Sequence, residues 1–227
     1  MKTIRDSISW VLDWLEPGPE EKLFHIPLVD PRSPALRGHR AVDLCIDVSG
    51  SMAFTDYSPS RLNGAVLASK RYCKVLAARE PDTLVGLVAF SDEALVHCPL
   101  VPVRERQATL LAALRGLEIS GGTHIGDGLK LAGHELARVP SPVNPTIILL
   151  TDGESNGGAD PLVVARDLKR RGVQLDIIGI GGSPEDVNEP DLKRMASIVD
   201  EKVRYWFIDS VDELVQRFEV LALREIK

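Results

Sequence analysis

The 227-residue sequence has few cysteines, few aromatic residues and no apolar run long enough to span a membrane. Its three cysteines are odd in number and fall on separate predicted elements, so we expect buried free thiols in a reducing compartment. Charged residues interrupt the N-terminal apolar stretch, which argues against a signal peptide. The net charge of −6, without a long basic run, gives no support to nucleic-acid binding. These absences predict a cytoplasmic protein with neither a membrane nor a nucleic acid as its partner.

The sequence does contain a regular alternation of predicted strands and helices. Buried strands are predicted at about 41–47, 83–90, 146–150, 173–180 and 203–208, with helical patterns between them. A short strand over 94–98 follows its predecessor too closely for a crossover, so this pair is expected to be antiparallel. The pattern predicts an α/β fold with a mostly parallel open sheet and helices on both faces.

Residues 1–40 differ in character from the predicted domain over 41–227. A helix is predicted over 3–15, where Trp10 and Trp14 stand on one side. Five prolines in the segment 17–40 indicate an irregular arm. Because so apolar a helix has to bury itself on the domain or on a partner, we favour packing on the domain.

The first buried strand ends in an unusual set of oxygen donors. Asp47, Ser49 and Ser51 follow one another at a spacing of two, and Gly50 lets the loop turn tightly. A carboxylate and two hydroxyls directed at one point suit a small hard cation such as Mg²⁺. The alternative, that the two serines only cap the next helix, stays open from this stretch alone.

A second strand ends in the same way, at Thr151-Asp152-Gly153, and Thr123 follows two glycines before a predicted helix. Ligands of open α/β sheets bind at the carboxyl ends of strands, where the strand order reverses. If the strands ending at Asp47 and Asp152 are neighbours at that reversal, both carboxylates reach one site.

The segments Asp47-Val48-Ser49-Gly50-Ser51, Gly121-Gly122-Thr123 and Thr151-Asp152-Gly153, in this order, closely resemble the metal-ion-dependent adhesion site (MIDAS) of von Willebrand factor A (VWA) domains. The similarity in element order runs from about residue 41 to 224. It implies a Rossmann-like open sheet with five parallel strands plus one antiparallel edge strand. It also implies Mg²⁺, with Mn²⁺ or Ca²⁺ as alternatives, at the upper edge of the sheet.

The resemblance further implies a ligand set and a function. Ser49, Ser51 and Thr123 would bind the ion directly, and Asp47 and Asp152 directly or through water. An Asp or Glu of a protein partner would fill the open position, so the expected function is magnesium-dependent protein–protein interaction and not catalysis. Cytosolic bacterial members of the family often work beside AAA+ ATPases such as the MoxR type or the magnesium chelatases, which makes such an ATPase an expected partner by analogy.

Other chemistries fit less well. A phosphatase nucleophile would need a second acid where Ser49 stands, and a phosphate-binding loop would need a lysine where Asp127 stands. A metal-dependent hydrolase is the main alternative, but the sequence offers no convincing general base beyond Glu154. Candidate residues around the ion, besides its ligands, are Tyr57, Asp92, Glu93, His124, Asp127 and Glu154.

Overall fold

The computed structural model of the protein describes residues 39–56 and 59–223. The helix predicted over 3–15, nearly all of the arm over 17–40, and Tyr57 therefore lie outside the described residues. The division into an arm and a domain stays a prediction.

A six-stranded sheet forms the centre of the described part of the chain. Its strands are β1 (Arg40–Asp47), β2 (Leu84–Phe90), β3 (Ala94–Pro102), β4 (Val143–Thr151), β5 (Gln174–Ile180) and β8 (Tyr205–Ile208). Their order in the sheet is β3-β2-β1-β4-β5-β8, and only the pair β2–β3 is antiparallel. The predicted arrangement of five parallel strands and one antiparallel edge strand is therefore confirmed.

Six α-helices are described, and they cover both faces of the sheet. They are α1 (Arg61–Arg79), α2 (Gln107–Arg115), α3 (Ile125–Ala137), α4 (Pro161–Arg170), α5 (Glu189–Met195) and α6 (Val211–Ala222). None of these helices combines the length and the apolar character needed to cross a bilayer. Helix α4 begins as predicted, because Asp160 caps it and Pro161 takes its first position.

Strand β1 is buried on both sides, which explains its nearly continuous apolar sequence. Leu44 and Ile46 belong to the core shared with α1, α2 and α6, where Tyr72 and Phe218 meet edge to face with ring centroids 5.6 Å apart. Cys45 belongs to the opposite core, shared with α3, α4 and α5. The carboxyl end of β1 therefore lies between two packed apolar layers.

The strand order reverses at β1 and β4. These strands are parallel neighbours, and Ile46 is in register with Leu150. Asp47 and Thr151 follow directly, so the two acid-bearing strand ends meet at one edge of the sheet, as the sequence predicts.

Strand β4 begins earlier than predicted, at Val143 and not at residue 146. The register between β1 and β4 shifts between Arg40 and Val42, so the chain gains an extra residue on the β4 side. Asn144 adopts a φ of 47° there. Such a bulge accommodates Pro145, which has no N–H for the ladder.

The helix predicted to reach Ile198 ends at Met195, and the strand predicted over 203–208 is divided. Between them β6 (Ile198–Val199) and β7 (Lys202–Val203) form a separate two-stranded hairpin. Its turn residues Asp200 and Glu201 both have positive φ, as tight hairpins require. Both predicted boundaries were wrong because the hairpin interrupts the elements.

All three cysteines are buried and free, which confirms the prediction about the thiols. Burial raises the pKa of Cys73 and of Cys98 to about 12, so these thiols stay protonated at neutral pH.

Candidate functional site

Asp47 ends β1 with a fully buried carboxylate that two neighbours hold in place. Its Oδ1 accepts a hydrogen bond from the backbone N–H of Ser49 at 2.8 Å. Its Oδ2 accepts one from the hydroxyl of Thr151 at 2.6 Å. Thr151 was not among the predicted site residues, although it directly precedes Asp152. The carboxylate is thus fixed between the ends of β1 and β4.

The two serines connect this carboxylate to the second acid. The hydroxyl oxygens of Ser49 and Ser51 lie 3.2 Å apart, and Ser51 donates to Oδ1 of Asp152 at 2.8 Å. The first turn after the loop is a 3-10 turn over Gly50–Ala53, and Ser49 stands at its N-cap without a capping hydrogen bond from its side chain. The capping interpretation therefore does not explain the Ser49 side chain.

Thr123 comes to the same edge from a third loop. The backbone N–H of Gly50 donates to the carbonyl of Gly121 at 3.1 Å, which joins the first and third loops. Thr123 is buried, and a Cβ atom built on Gly153 would lie 3.9 Å from its Oγ1. Asn156 holds Thr123 through two hydrogen bonds. Its side-chain oxygen accepts one from the backbone N–H of Thr123, and its backbone N–H donates the other to the Thr123 carbonyl.

The electrostatics of the site favour a cation. Burial raises the pKa of Asp47 to about 6, although hydrogen bonds from Ser49 and Thr151 act in the opposite direction. Burial also raises the pKa of Asp152, against hydrogen bonds from Ser51 and Arg61. Two buried carboxylates at one point are costly to ionise without positive charge, which a bound metal ion would supply.

Arg61 supplies part of that charge, and sequence reasoning missed it. Its guanidinium donates to Oδ2 of Asp152 at 3.0 Å and forms ion pairs with Asp56 and Asp186. It also lies over the ring of Phe54, 5.2 Å from the centroid. Its side chain is only 5% exposed. One arginine thereby joins three loops of the site.

A signal for Arg61 was present in the sequence. It is the first residue of α1, where a positive charge is unfavourable because the N-terminus of a helix already carries a partial positive charge. An arginine at such a position indicates acids close by, and the structure places three of them there.

The donor set fits a hard divalent cation. Within 39–56 and 59–223, no three His, Cys, Asp or Glu side chains are grouped so as to hold a metal. An ion at this edge would therefore be held by hydroxyl oxygens together with the two carboxylates, a set that suits Mg²⁺ better than zinc or copper.

The remaining candidates lie around this cluster. Asp92 accepts the N–H of Gly122 at 2.9 Å, so it supports the Thr123 loop. His124 lies 3.9 Å from Asp92 and 3.6 Å from Asp127. Glu154 is exposed and accepts a hydrogen bond from the amide of Asn188 at 3.3 Å. Glu93 is exposed and lines a separate cleft with Asp92.

Residues 42–154 match the sequence model of the family described as von Willebrand factor type A domain. The chain is also similar to a UPF0353 protein of Mycolicibacterium paratuberculosis, with 31% identity over 219 residues that cover 86% of this chain and 62% of that protein. The chain spans about three fifths of the length of this protein and of another curated relative that it matches.

Two solved structures show the same fold. The conserved hypothetical protein BatB from Bacteroides thetaiotaomicron superposes with a TM-score of 0.65 at 22% identity, covering 81% of this chain and 96% of that one. A von Willebrand factor type A protein from Catenulispora acidiphila gives 0.66 at 25% identity, covering 82% of this chain and 42% of that one.

Proposed function

We propose that the chain is a protein-interaction module that binds its partner through Mg²⁺ at the β1–β4 edge, because residues 42–154 match the von Willebrand factor type A model and two parallel strands end there in acids. The observation that carries this proposal is the cluster of oxygen atoms that Asp47, Ser49, Ser51 and Asp152 form at that edge, with Thr123 on the adjoining loop. The residues that would hold the ion are Asp47, Ser49, Ser51, Thr123 and Asp152.

The ion, when bound, would offer an open coordination position to a carboxylate of the partner. The chain's own residues prepare that position. Thr151 and the Ser49 N–H orient Asp47, and Arg61 orients Asp152. Because three of the five ligand residues would be neutral hydroxyls, the ion would stay electrophilic enough to accept an incoming acid, although the two carboxylates roughly balance its charge.

An exposed aromatic side chain next to the cluster supports a role in binding. Phe54 is 57% exposed and stacks on Arg61 directly beside the site. Aromatic and arginine side chains contribute more than others to protein interfaces. We extend the proposal to an AAA+ ATPase as the partner, on the family resemblance alone.

The hydrolase alternative lacks support from the geometry. Glu154, its candidate general base, lies on the exposed rim and is engaged by Asn188.

Thermal unfolding in millimolar Mg²⁺ and in excess chelator tests the proposal. At about tenfold the dissociation constant, the ion would stabilise the fold by about 1.4 kcal/mol. This corresponds to a rise in melting temperature of a few degrees for a domain of this size. We expect Asp47→Ala to abolish the shift, and the control Asp167→Asn, an exposed acid on α4, to keep it.

The absence of a shift in the wild-type protein would refute the proposed metal site. An equal shift in Asp47→Ala would place the ion elsewhere. Once a partner is in hand, its binding should be lost in chelator and in Asp47→Ala together.

A further inference from the structure

A cavity of about 300 Å³ opens beside the β1–β4 edge at which the ion is proposed to bind, called the metal edge below, between the loop after β4 and helix α5. Its floor is apolar, because Ile125, Leu192 and Met195 line it and are almost completely buried. Its rim carries Glu154 and Asp191, with Asp160 at the start of α4. Among the described residues that line it there is no lysine, arginine or histidine.

The cavity and the metal edge share one loop. Gly153 and Glu154, which follow Asp152 directly, line the cavity. The next residue, Ser155, lines it too, and its hydroxyl donates to the carbonyl of Thr123 at 3.3 Å. A partner segment that approaches Asp152 along this loop would pass the mouth of the cavity.

We infer that this cavity is a subsite for a lysine or arginine side chain of the partner segment whose acid binds the metal edge. The inference rests on the proposed function, because it gives the same partner a second anchor. A long basic side chain packs its methylene stem on an apolar floor and keeps its charged end at an acidic rim. The volume is at the lower end of the range for ligand sites, which suits one such side chain.

Glu154 is the acid on which recognition depends most. Asp160 is engaged by the backbone N–H groups of Leu162 and Val163 at the start of α4. Asp191 is paired with Arg194 at 2.9 Å. Glu154 accepts a hydrogen bond from the neutral amide of Asn188, and no cation among the described residues pairs with it. Its charge is therefore the one that a basic side chain would match.

Methyl NMR with n-butylguanidinium, in excess chelator, tests the subsite without the metal. We expect saturable shifts of the Ile125, Leu192 and Met195 methyl signals, with millimolar affinity. Neither butyrate nor n-butanol should produce them. Glu154→Gln should weaken binding by about two- to fivefold, the range of an exposed charge pair.

The matched control is Glu118→Gln. It makes the same change in net charge but lies in the separate cleft that Asp92 and Glu93 line. Binding of n-butylguanidinium should be unchanged in this variant. Absent shifts, equal shifts with n-butanol, or equal weakening by both variants would overturn the subsite.

A second arm connects the subsite to the partner. Synthetic peptides with one aspartate and one arginine at several spacings are titrated in Mg²⁺ beside peptides with norleucine in place of arginine. Stronger binding of an arginine peptide, lost in Glu154→Gln, supports the inference. If n-butylguanidinium binds but arginine never improves peptide binding, the assignment to the partner is wrong. A failure of the metal site would show instead in the separate melting experiment, so the two failures are distinguishable.

Discussion

At the scale of single residues, Arg61 adds a buried positive charge to the site. Two carboxylates and a divalent ion would roughly cancel in charge, but the guanidinium adds a permanent positive charge on Asp152. It also ties Asp56 and Asp186, which are 35% and 39% exposed, to the buried acid. Arg61 therefore acts as a resident cation that keeps Asp152 in place when no ion is bound.

We predict that Arg61→Met lowers the free energy of unfolding by about 3–5 kcal/mol in chelator, because it leaves a buried carboxylate without its counter-charge. Mg²⁺ should then raise the melting temperature more in the variant than in the wild type, since the ion replaces the lost positive charge. Chemical and thermal unfolding with and without Mg²⁺ measure both effects.

Arg71→Met is the control for this prediction, because Arg71 of α1 forms a largely exposed ion pair with Glu219 of α6, away from the site acids. Its effect on stability should stay below about 1 kcal/mol, with an unchanged Mg²⁺ response. A wild-type-like Mg²⁺ response in Arg61→Met would show that the arginine is structural and independent of the ion.

At the scale of elements, β1 carries a buried acid in the middle of the strand. Asp43 is fully buried, and it lies so close to β2 that a Cβ atom on Gly86 would be 2.6 Å from its Oδ2. Burial and, to a smaller extent, the charge of Glu135 raise the pKa of Asp43 well above its ordinary value. Glu135 itself pairs with Arg138 at 2.7 Å.

The raised pKa has a defined consequence for stability. Between the unfolded and folded pKa values the folded state binds more protons, so this carboxyl lowers stability as pH rises from about 4. We predict that Asp43→Asn becomes progressively more stable relative to the wild type as the pH increases from 5 to 8. Denaturant unfolding of both proteins across this range measures the difference, in which the other groups cancel.

Asp167→Asn on α4 makes the same substitution at an exposed position and serves as the control for effects other than burial of the carboxyl. If the Asp43→Asn difference from the wild type is constant from pH 5 to 8, the Asp43 carboxyl is ionised throughout and the prediction fails.

Among the elements and the site, the sequence predicts features that depend on local signals better than those that depend on distant partners. Asp47 and Asp152 could be found because each abruptly ends an apolar strand, and that local signal also fixes the sheet edge. The start of β4 at Val143 and the hairpin after Met195 could not, since both depend on pairing with other strands. Arg61 was missed for a related reason, because its partner Asp186 lies 125 residues away.

At the scale of the whole molecule, the entry of the chain into the sheet bears on the helix predicted over 3–15. Arg40 pairs with Glu80 and donates to the carbonyl of Leu221, so the chain enters β1 beside the end of α6. Val220 and Leu223 are 55% and 52% exposed there. These two apolar side chains form a small exposed surface at the end of α6, close to where the chain enters β1.

We predict that the helix carrying Trp10 and Trp14 packs on this surface of α6. Removal of residues 1–16 should then lower the melting temperature by a few degrees. Val220→Lys should lower it in the full chain but not in the truncated one, because the two changes remove the same contact. The control Val163→Lys, at a 53% exposed position on α4, should act equally in both chains. An equal effect of Val220→Lys in the full and the truncated chain would show that the helix does not pack on α6. An unchanged melting temperature after truncation would show that the helix binds a partner instead of the domain.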